Sequence, residues 1–256
     1  MNITIVGTGN LAWNLAKTFY NEGIEIKKII ARDTLKAKYL ANEIGCEFGN
    51  IENEKNNQTA YFLCVSDNSI EQVASKFNNN FLVHCSGATN IDVLAKHTSN
   101  YGVFYPLYSF PKHQLANFEH IPIFLEASNN RNLNVLEHFA QKISPKVYFI
   151  NSKQRLIVHL SAVFSNNFVN HLFSITNKIL NDYKIDFEVL LPIIQKTLSI
   201  ENIKNALENQ TGPAIRKDFS TIEKHLETLK FYNKDFEKVY KTITDSIISL
   251  YEKKNL

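Results

Sequence analysis

The chain has 256 residues, 44% hydrophobic and 21% charged, with a formal net charge of +3. That balance describes a globular protein with room for one large or two ordinary domains. The charge is small and dispersed, with no basic stripe interleaved with aromatics, so nothing supports nucleic-acid binding. Cys46, Cys64 and Cys85 are odd in number and lack paired ligand spacing, so no disulfide framework and no metal site is expected, and cytosolic thiols are the default. The first β-like run begins at residue 2 or 3, leaving no room for a signal peptide, and no apolar run approaches the length of a membrane span. A cytoplasmic protein without membrane contact is the expectation.

The first dozen residues carry the strongest signal. A short β-run containing Ile3, Ile5 and Val6 flows into Gly7-Thr-Gly9-Asn10-Leu11-Ala12, a G-x-G-x-x-A sequence, followed by the helical apolar spacing of Leu11, Leu15, Phe19 and Tyr20. Gly7 permits the tight turn off the strand, Gly9 lets bare backbone approach a pyrophosphate, and Ala12 lets the helix lie close to the sheet. The amides of Asn10 and Leu11 then stand in the first helical turn, where the helix dipole favours a phosphate. Dinucleotide binding is expected.

Up to about residue 150, β-like runs at 2–6, 26–31, 60–65, 81–85, 101–104, 122–126 and 146–150 alternate with helical patterns at 10–22, 34–44, 68–77, 90–96 and 131–143. This is the signature of a mostly parallel sheet with crossover helices. The second run ends Ala31-Arg32-Asp33-Thr34. An acid at the end of this strand accepts a ribose 2′-hydroxyl, whereas an arginine accommodates a 2′-phosphate, so Arg32 favours NADP over NAD. Asp33 could instead face the ribose, or cap the next helix while Arg32 stays exposed. Ligands in open α/β sheets sit beyond the carboxyl ends of the strands. Ser66 and Asp67 could line the nicotinamide side there, Asp67 being equally a good helix N-cap, and Ser86-Gly87 could present a hydroxyl and bare backbone to the carboxamide or substrate. His84 reads as a half-buried strand histidine. The segment Tyr105-Pro-Leu-Tyr-Ser-Phe-Pro111 reads as a loop whose aromatics either close over a ring or simply pack.

From Lys153 onward the periodicity is helical almost throughout, broken near Tyr183-Lys184, Asn209–Pro213 and Tyr232-Asn233. Two domains are expected: a Rossmann-like NAD(P)-binding domain over 1–150 and an all-helical substrate and dimerisation domain over 151–256. At 100° per residue His159, Asn166, Asn170 and Asn177 form a polar file on a helix that is apolar nearly all round, from Leu156 and Ile157 to Ile175 and Ile179. Such a helix is normally buried. The file could face an interdomain cleft, with His159 as general acid and Asn166 or Asn170 orienting a carbonyl or imine, or it could be a thin solvated face. His171 lies off it. Thr211 to Ala214 can form a backbone cradle after the helix break, while Arg216 can hold a substrate carboxylate or pair with Asp218. His225 reads as a surface or dimer residue.

Together the G-x-G-x-x-A start, His84-x-Ser-Gly-Ala88, Tyr105-Pro-Leu-Tyr-Ser-Phe110, the His159-to-His171 helix and Thr211-Gly-Pro-Ala-x-Arg-x-Asp218 resemble an uncharacterised bacterial family of Rossmann-like oxidoreductases. That family lies in the superfamily of 6-phosphogluconate dehydrogenase, pyrroline-5-carboxylate reductase and ketopantoate reductase. The resemblance spans essentially the whole chain. It implies an N-terminal NADP-type domain, a helical C-terminal domain that commonly forms a homodimer, and reduction of a small-molecule substrate between them.

Several hydroxyacid dehydrogenases of this superfamily carry Lys-x-x-x-Asn on the central helix, but the residues four before Asn166 and Asn167 here are Ala162 and Val163. Either His159 replaces that lysine or the reaction needs no strong protein acid, as with an already protonated imine. The leading expectation is an NADP-dependent oxidoreductase acting on a small carbonyl, hydroxyacid or cyclic imine. The alternative is an NADP(H)-binding sensor or interaction protein without catalysis.

Overall fold

The apolar runs of the first half form one eight-stranded sheet. Its strands are β1 (Ile3–Val6), β2 (Ile26–Ala31), β3 (Glu47–Asn50), β4 (Ala60–Leu63), β5 (Phe81–His84), β6 (Tyr101–Pro106), β7 (Ile123–Ala127) and β8 (Val147–Phe149). The spatial order is β3-β2-β1-β4-β5-β6-β7-β8, and all pairs are parallel except β6 with β7. This is the computed structural model of the chain, and it describes residues 2–54, 59–112 and 114–254. The chain divides into two compact units, Met1–Ser165 and Asn166–Leu256.

The crossovers are α1 (Asn10–Asn21), α2 (Thr34–Ile44), the short α3 (Ile70–Ala74) and α4 (Asn130–Ile143), with 3₁₀ turns at Asp67–Ser69 and Ile91–Leu94. The helix expected over 90–96 is thus only a 3₁₀ turn, and the one over 68–77 is a 3₁₀ turn running into α3. Strand alternation divides the core between the two faces. Ile3, Ile5, Ile29, Phe62, Val83 and Phe104 pack with Leu15 and Phe19 of α1 and Phe139 of α4. Val6, Ile30, Tyr61, Leu63 and Leu82 pack with Ile70, Val73 and Phe77 on the other face. Phe19 anchors the first layer, its ring centroid 5.6 Å from that of Phe62 and 5.9 Å from that of Phe104.

Three expectations need correction. β3 was not anticipated: Glu47-Phe-Gly-Asn50 holds one large apolar side chain, and that one, Phe48, is exposed at the sheet edge. Tyr105 belongs to β6 rather than to a loop, and it is buried. His84 is fully buried rather than half-buried.

The helical run after β8 opens with α5 (Ser152–Ala162), passes through π-helical winding over Val163–Phe168 and continues as α6 (Val169–Asp182). A π turn widens the winding, so the 100° spacing that aligned His159 with Asn166, Asn170 and Asn177 does not hold across it. The expected burial of this helix is also not met. Arg155 is the buried residue of α5 and α6, while Ile157, Leu160, Phe164 and Phe168 are exposed.

The second unit adds α7 (Leu191–Thr197), α8 (Ile200–Lys204), α9 (Phe219–Leu229) and α10 (Lys234–Lys254), with breaks at all three places read from the sequence. Among its described residues only Ala214, Ile222, Leu229 and Thr244 are buried. An apolar cavity of about 350 Å³ runs between α6, α9 and α10, lined by Leu172, Ile179, Leu229, Phe236, Val239 and Ile243 among others. Among the described residues no helix is long and apolar enough to cross a membrane.

Candidate active site

Strand order reverses between β1 and β4, and at such a switch point the carboxyl ends of the strands leave a crevice. Here it is a cavity of about 410 Å³ lined by Gly7, Thr8, Gly9, Arg32, Cys64, Val65, Ser66 and Val73, among others. Gly7 has φ +124°, and a Cβ there would lie 2.3 Å from the carbonyl oxygen of Cys64. The turn off β1 therefore admits only glycine. Over Gly9, by contrast, nothing lies within 4 Å of where a Cβ would be.

α1 starts from Gly9 with no capping side chain and no acid in its first turn. The first-turn amides, including those of Asn10, Leu11 and Ala12, consequently have no side-chain acceptor, the arrangement that receives a phosphate. The side chain of Asn10 is used elsewhere, its Nδ2 donating to the Phe110 carbonyl at 3.1 Å. Asn14 supports the same segment by accepting the Ala116 amide at 2.8 Å.

Charge in the cleft is sorted by pairing. Lys36 pairs with Asp33 at 3.3 Å and Lys76 pairs with Glu52. Arg32 is exposed at the rim with no ion pair among the described residues. Asp33 is committed to α2: one carboxylate oxygen accepts the amides of Leu35 and Lys36 at 3.1 and 3.2 Å. These bonds and the Lys36 charge hold its pKa below the ordinary carboxylate value. Of the two residues weighed for the adenosine ribose, Arg32 is thus the one left open. Open space over a bare glycine, uncapped first-turn amides and an unpaired guanidinium at the end of β2 fit a dinucleotide carrying an additional phosphate.

On the far side of the β4 end, Ser66 stands at the N-cap position of the 3₁₀ turn without a side-chain capping bond, and its Oγ lies 2.8 Å from that of Ser69. Asp67 is not the cap and is exposed. After β5, the Ser86 Oγ accepts the amides of Ala88 and Thr89 at 3.1 and 3.0 Å, folding the loop and leaving its own proton to donate. His84 accepts the Ser86 amide through Nδ1 at 3.2 Å. Burial, then the Arg155 charge, lowers its pKa to about 3, so it is neutral at physiological pH. Cys64 and Cys85 lie side by side with sulfurs 3.7 Å apart, and the hydrogen bond between them, then burial, raises the Cys85 pKa.

His159 and Gly87 stand among the candidates from the sequence; the partner that the sequence did not mark lies one strand further on. The Oη of Tyr105 is 3.1 Å from Nδ1 of His159. Gly87 lies against both: a Cβ on it would stand 2.7 Å from His159 Nδ1 and 2.7 Å from Tyr105 Cζ. Burial, with the Asp67 charge second, pushes the Tyr105 phenol up to about 12, so it holds its proton. A phenol hydrogen-bonded to an imidazole, with bare glycine beneath, can deliver a proton to a group seated over Gly87.

Four residues beneath His159 on the same helix, Arg155 is fully buried. It is ion-paired to Glu126 of β7, donates to the Thr89 carbonyl and reaches the Ser152 Oγ at 3.1 Å. Glu126 in turn accepts from the backbone amide and hydroxyl of Ser152 at 2.9 and 2.8 Å. Burying such charges costs on the order of several kcal/mol per ion and is recovered only with satisfied hydrogen bonds; the cluster supplies these to both terminal nitrogens of Arg155, while its buried Nε has no partner among the described residues.

Asn166, Asn170, Thr211 and Arg216 belong to the second unit. Asn166, Asn170 and Arg216 are exposed, and the Asn170 carbonyl accepts from Ser174 at 3.1 Å. Thr211 lines the apolar cavity of that unit. Asp218 caps α9 by accepting the Thr221 amide at 3.1 Å, and it forms no ion pair with Arg216 among the described residues.

A Rossmann sheet with a glycine-turn crevice at its switch point, followed by a helical unit, defines a nucleotide-dependent oxidoreductase class of fold. Residues 2–95 match a family model described as NADP oxidoreductase coenzyme F420-dependent, and residues 121–247 match one described as a domain of unknown function, DUF2520. A Bacteroides fragilis protein named a putative NADP oxidoreductase is 31% identical, with 97% of this chain and 98% of that one aligned at a TM-score of 0.84. A Thermotoga maritima protein is 26% identical over 95% of this chain and 99% of that one, with a TM-score of 0.72. The reductive aminase of Aspergillus terreus, solved with NADPH and ethyl-5-oxohexanoate, shares the fold at 12% identity, a TM-score of 0.73 and coverage of 97% and 93%. Curated proteins yield no match. The chain belongs to the family of Rossmann-like oxidoreductases represented by the Bacteroides protein.

Proposed function

We propose that the protein is an NADP-dependent oxidoreductase that moves hydride between the nicotinamide and a small carbonyl, hydroxyacid or cyclic imine. The observation that carries this reading is the Tyr105–His159 hydrogen bond over Gly87, two strands along from the glycine-turn crevice at the carboxyl edge of one sheet.

Gly7, Gly9, Ala12 and the amides of Asn10 and Leu11 hold the pyrophosphate, Arg32 takes the 2′-phosphate, and Ser66, Asp67, Ser86 and Gly87 border the nicotinamide end. When bound, the cofactor supplies or accepts the hydride. His159 acts as general acid in reduction and general base in oxidation, with Tyr105 as its hydrogen-bonded relay. This pair takes the role of the lysine absent at Ala162 and Val163. In the second unit Asn166, Asn170, Thr211 and Arg216 are exposed polar side chains, the candidates for substrate contact on that unit's own surface.

The reading includes a homodimer in the cytoplasm. A helical unit with so few buried residues, and with Ile193, Ile200, Ile203 and Phe219 exposed, gains its apolar cover from a second copy.

The test pairs NADPH fluorescence titration with turnover against aldehydes, 2-keto acids, 2-hydroxy acids and cyclic imines. NADPH binding and turnover of at least one class are expected, with His159→Ala lowering turnover far more than cofactor affinity. Absence of both NADPH binding and turnover would discard the proposal.

A further inference from the structure

We propose that Arg155 is the positioning residue of this site: with Glu126 it fixes the register of α5 on the sheet so that His159 meets Tyr105. The inference rests on the reading of His159 and Tyr105 as the proton-transfer pair.

The argument is one of matching repeats. In the antiparallel β6–β7 pair Tyr105 faces Phe124 and Val103 faces Glu126. Directly opposed residues, and residues two apart on a strand, share one face. Tyr105, Phe124, Val103 and Glu126 therefore form one patch of the sheet surface, as the 6.3 Å separation of the Tyr105 and Phe124 rings also indicates. Two strand residues advance about 6.8 Å, and four helical residues advance about 6 Å on the same side of a helix. Arg155 and His159 are four apart. Setting Arg155 on Glu126 thereby sets His159 on the Tyr105 level, and sliding the helix by one residue would break both contacts together.

The same cluster also fixes the floor. Arg155 donates to the Thr89 carbonyl, and the Ser152 Oγ accepts the Ile91 amide at 3.0 Å, so the loop that carries Gly87 is tied to the first turns of the helix that carries His159. A buried ion pair is weak as a device for stability alone, and its best-attested use is to specify register. The contacts found here serve that use: they join β7, the loop after β5 and α5, the three segments that frame the pair.

The test reads the imidazole itself. Long-range proton–nitrogen spectra are recorded on the full chain labelled with ¹⁵N-histidine, with His159 assigned by the signal lost in His159→Gln. In the wild type His159 should show a single ring tautomer, because its Nδ1 has a fixed partner. In Arg155→Met and in Glu126→Gln it should show the exchange-averaged pattern of a free imidazole, while circular dichroism stays unchanged. Should Arg155→Met not fold, Glu126→Gln, which keeps the shape of the side chain and the guanidinium, decides alone. An averaged pattern already in the wild type, or a single tautomer retained in folded Glu126→Gln protein, overturns the proposal. The readout needs neither cofactor nor substrate, so a chain inactive against every substrate tried would count against the proposed function while the spectra still judge the clamp.

Discussion

Tyr105 and His159, 54 residues apart in the chain, share a hydrogen bond of 3.1 Å with no side chain between them and the backbone of Gly87. An alanine at 87 would press its methyl to 2.7 Å from both rings, closer than carbon contacts allow, and neither ring is a flexible chain end that can swing aside. Gly87→Ala should therefore separate the pair. Turnover is expected to fall about a hundredfold, the usual worth of a positioned proton donor, with a stability cost of about 1–3 kcal/mol for the overpacking. NADPH affinity, set mainly by the phosphate contacts at β1 and β2, should fall far less than turnover, since Gly87 borders only the nicotinamide end. Steady-state kinetics beside a fluorescence titration check this, and wild-type turnover in Gly87→Ala would refute it.

Arg32 stands at the end of β2 with its guanidinium unpaired, while the neighbouring Asp33 is bound into the cap of α2. A charge-assisted hydrogen bond to phosphate contributes about 2 kcal/mol, so Arg32→Gln should weaken NADPH about thirtyfold and leave NADH nearly unchanged. Dissociation constants for both nucleotides, measured on both proteins, decide the matter. Equal losses for the two would remove the phosphate role from Arg32.

The glycine turn was legible because its geometry is local: six consecutive residues hold the strand end, the turn and the helix start. Seven of the eight strands were legible because each carries a mostly apolar run, whether buried like β1 or largely exposed like β8, and β3 was not because only Phe48 of it is large and apolar. The Tyr105–His159 pair was half legible. His159 drew attention as a polar residue on an apolar helix, but Tyr105 was read into the following loop, since the signal of Pro106 and Pro111 outweighed the run Gly-Val-Phe-Tyr that extends β6. Nothing in the sequence marks Arg155 as buried, because its partners Glu126 and Thr89 lie in other elements. The signal available was indirect: a charged residue four before the histidine, on the same side of its helix. The asparagine file relied on an unbroken 3.6-residue period, which the π winding over Val163–Phe168 interrupts.

His84 should make the first unit acid-sensitive. Its folded pKa is about 3, against 6.5 for the ordinary imidazole. Between those values the unfolded chain takes up a proton that the folded chain refuses. Its contribution is therefore complete above pH 6.5 and is lost as pH falls toward 3, at up to about 1.4 kcal/mol per pH unit. Urea unfolding should show the wild type losing about 2 kcal/mol from this group between pH 7 and pH 5. His84→Asn, which keeps an acceptor for the Ser86 amide, should flatten that slope. Parallel slopes in the two proteins would mean that His84 is protonated without cost in the fold.

Two copies of the chain should associate through the helical unit. Only four of its described residues are buried, and an apolar cavity of about 350 Å³ opens between α6, α9 and α10. Exposed apolar patches well beyond a few hundred Å² mark association surfaces, and a unit with so small a core draws its stability from the surface covered on pairing. Light scattering at micromolar concentration should therefore give about twice the chain mass of 29.4 kDa. Because apolar association is little screened by salt, that mass should persist in concentrated salt, whereas a dimer held by surface ion pairs would dissociate. The thermal midpoint should also rise with protein concentration, since dissociation accompanies unfolding. A single-chain mass together with a midpoint independent of concentration would refute the association.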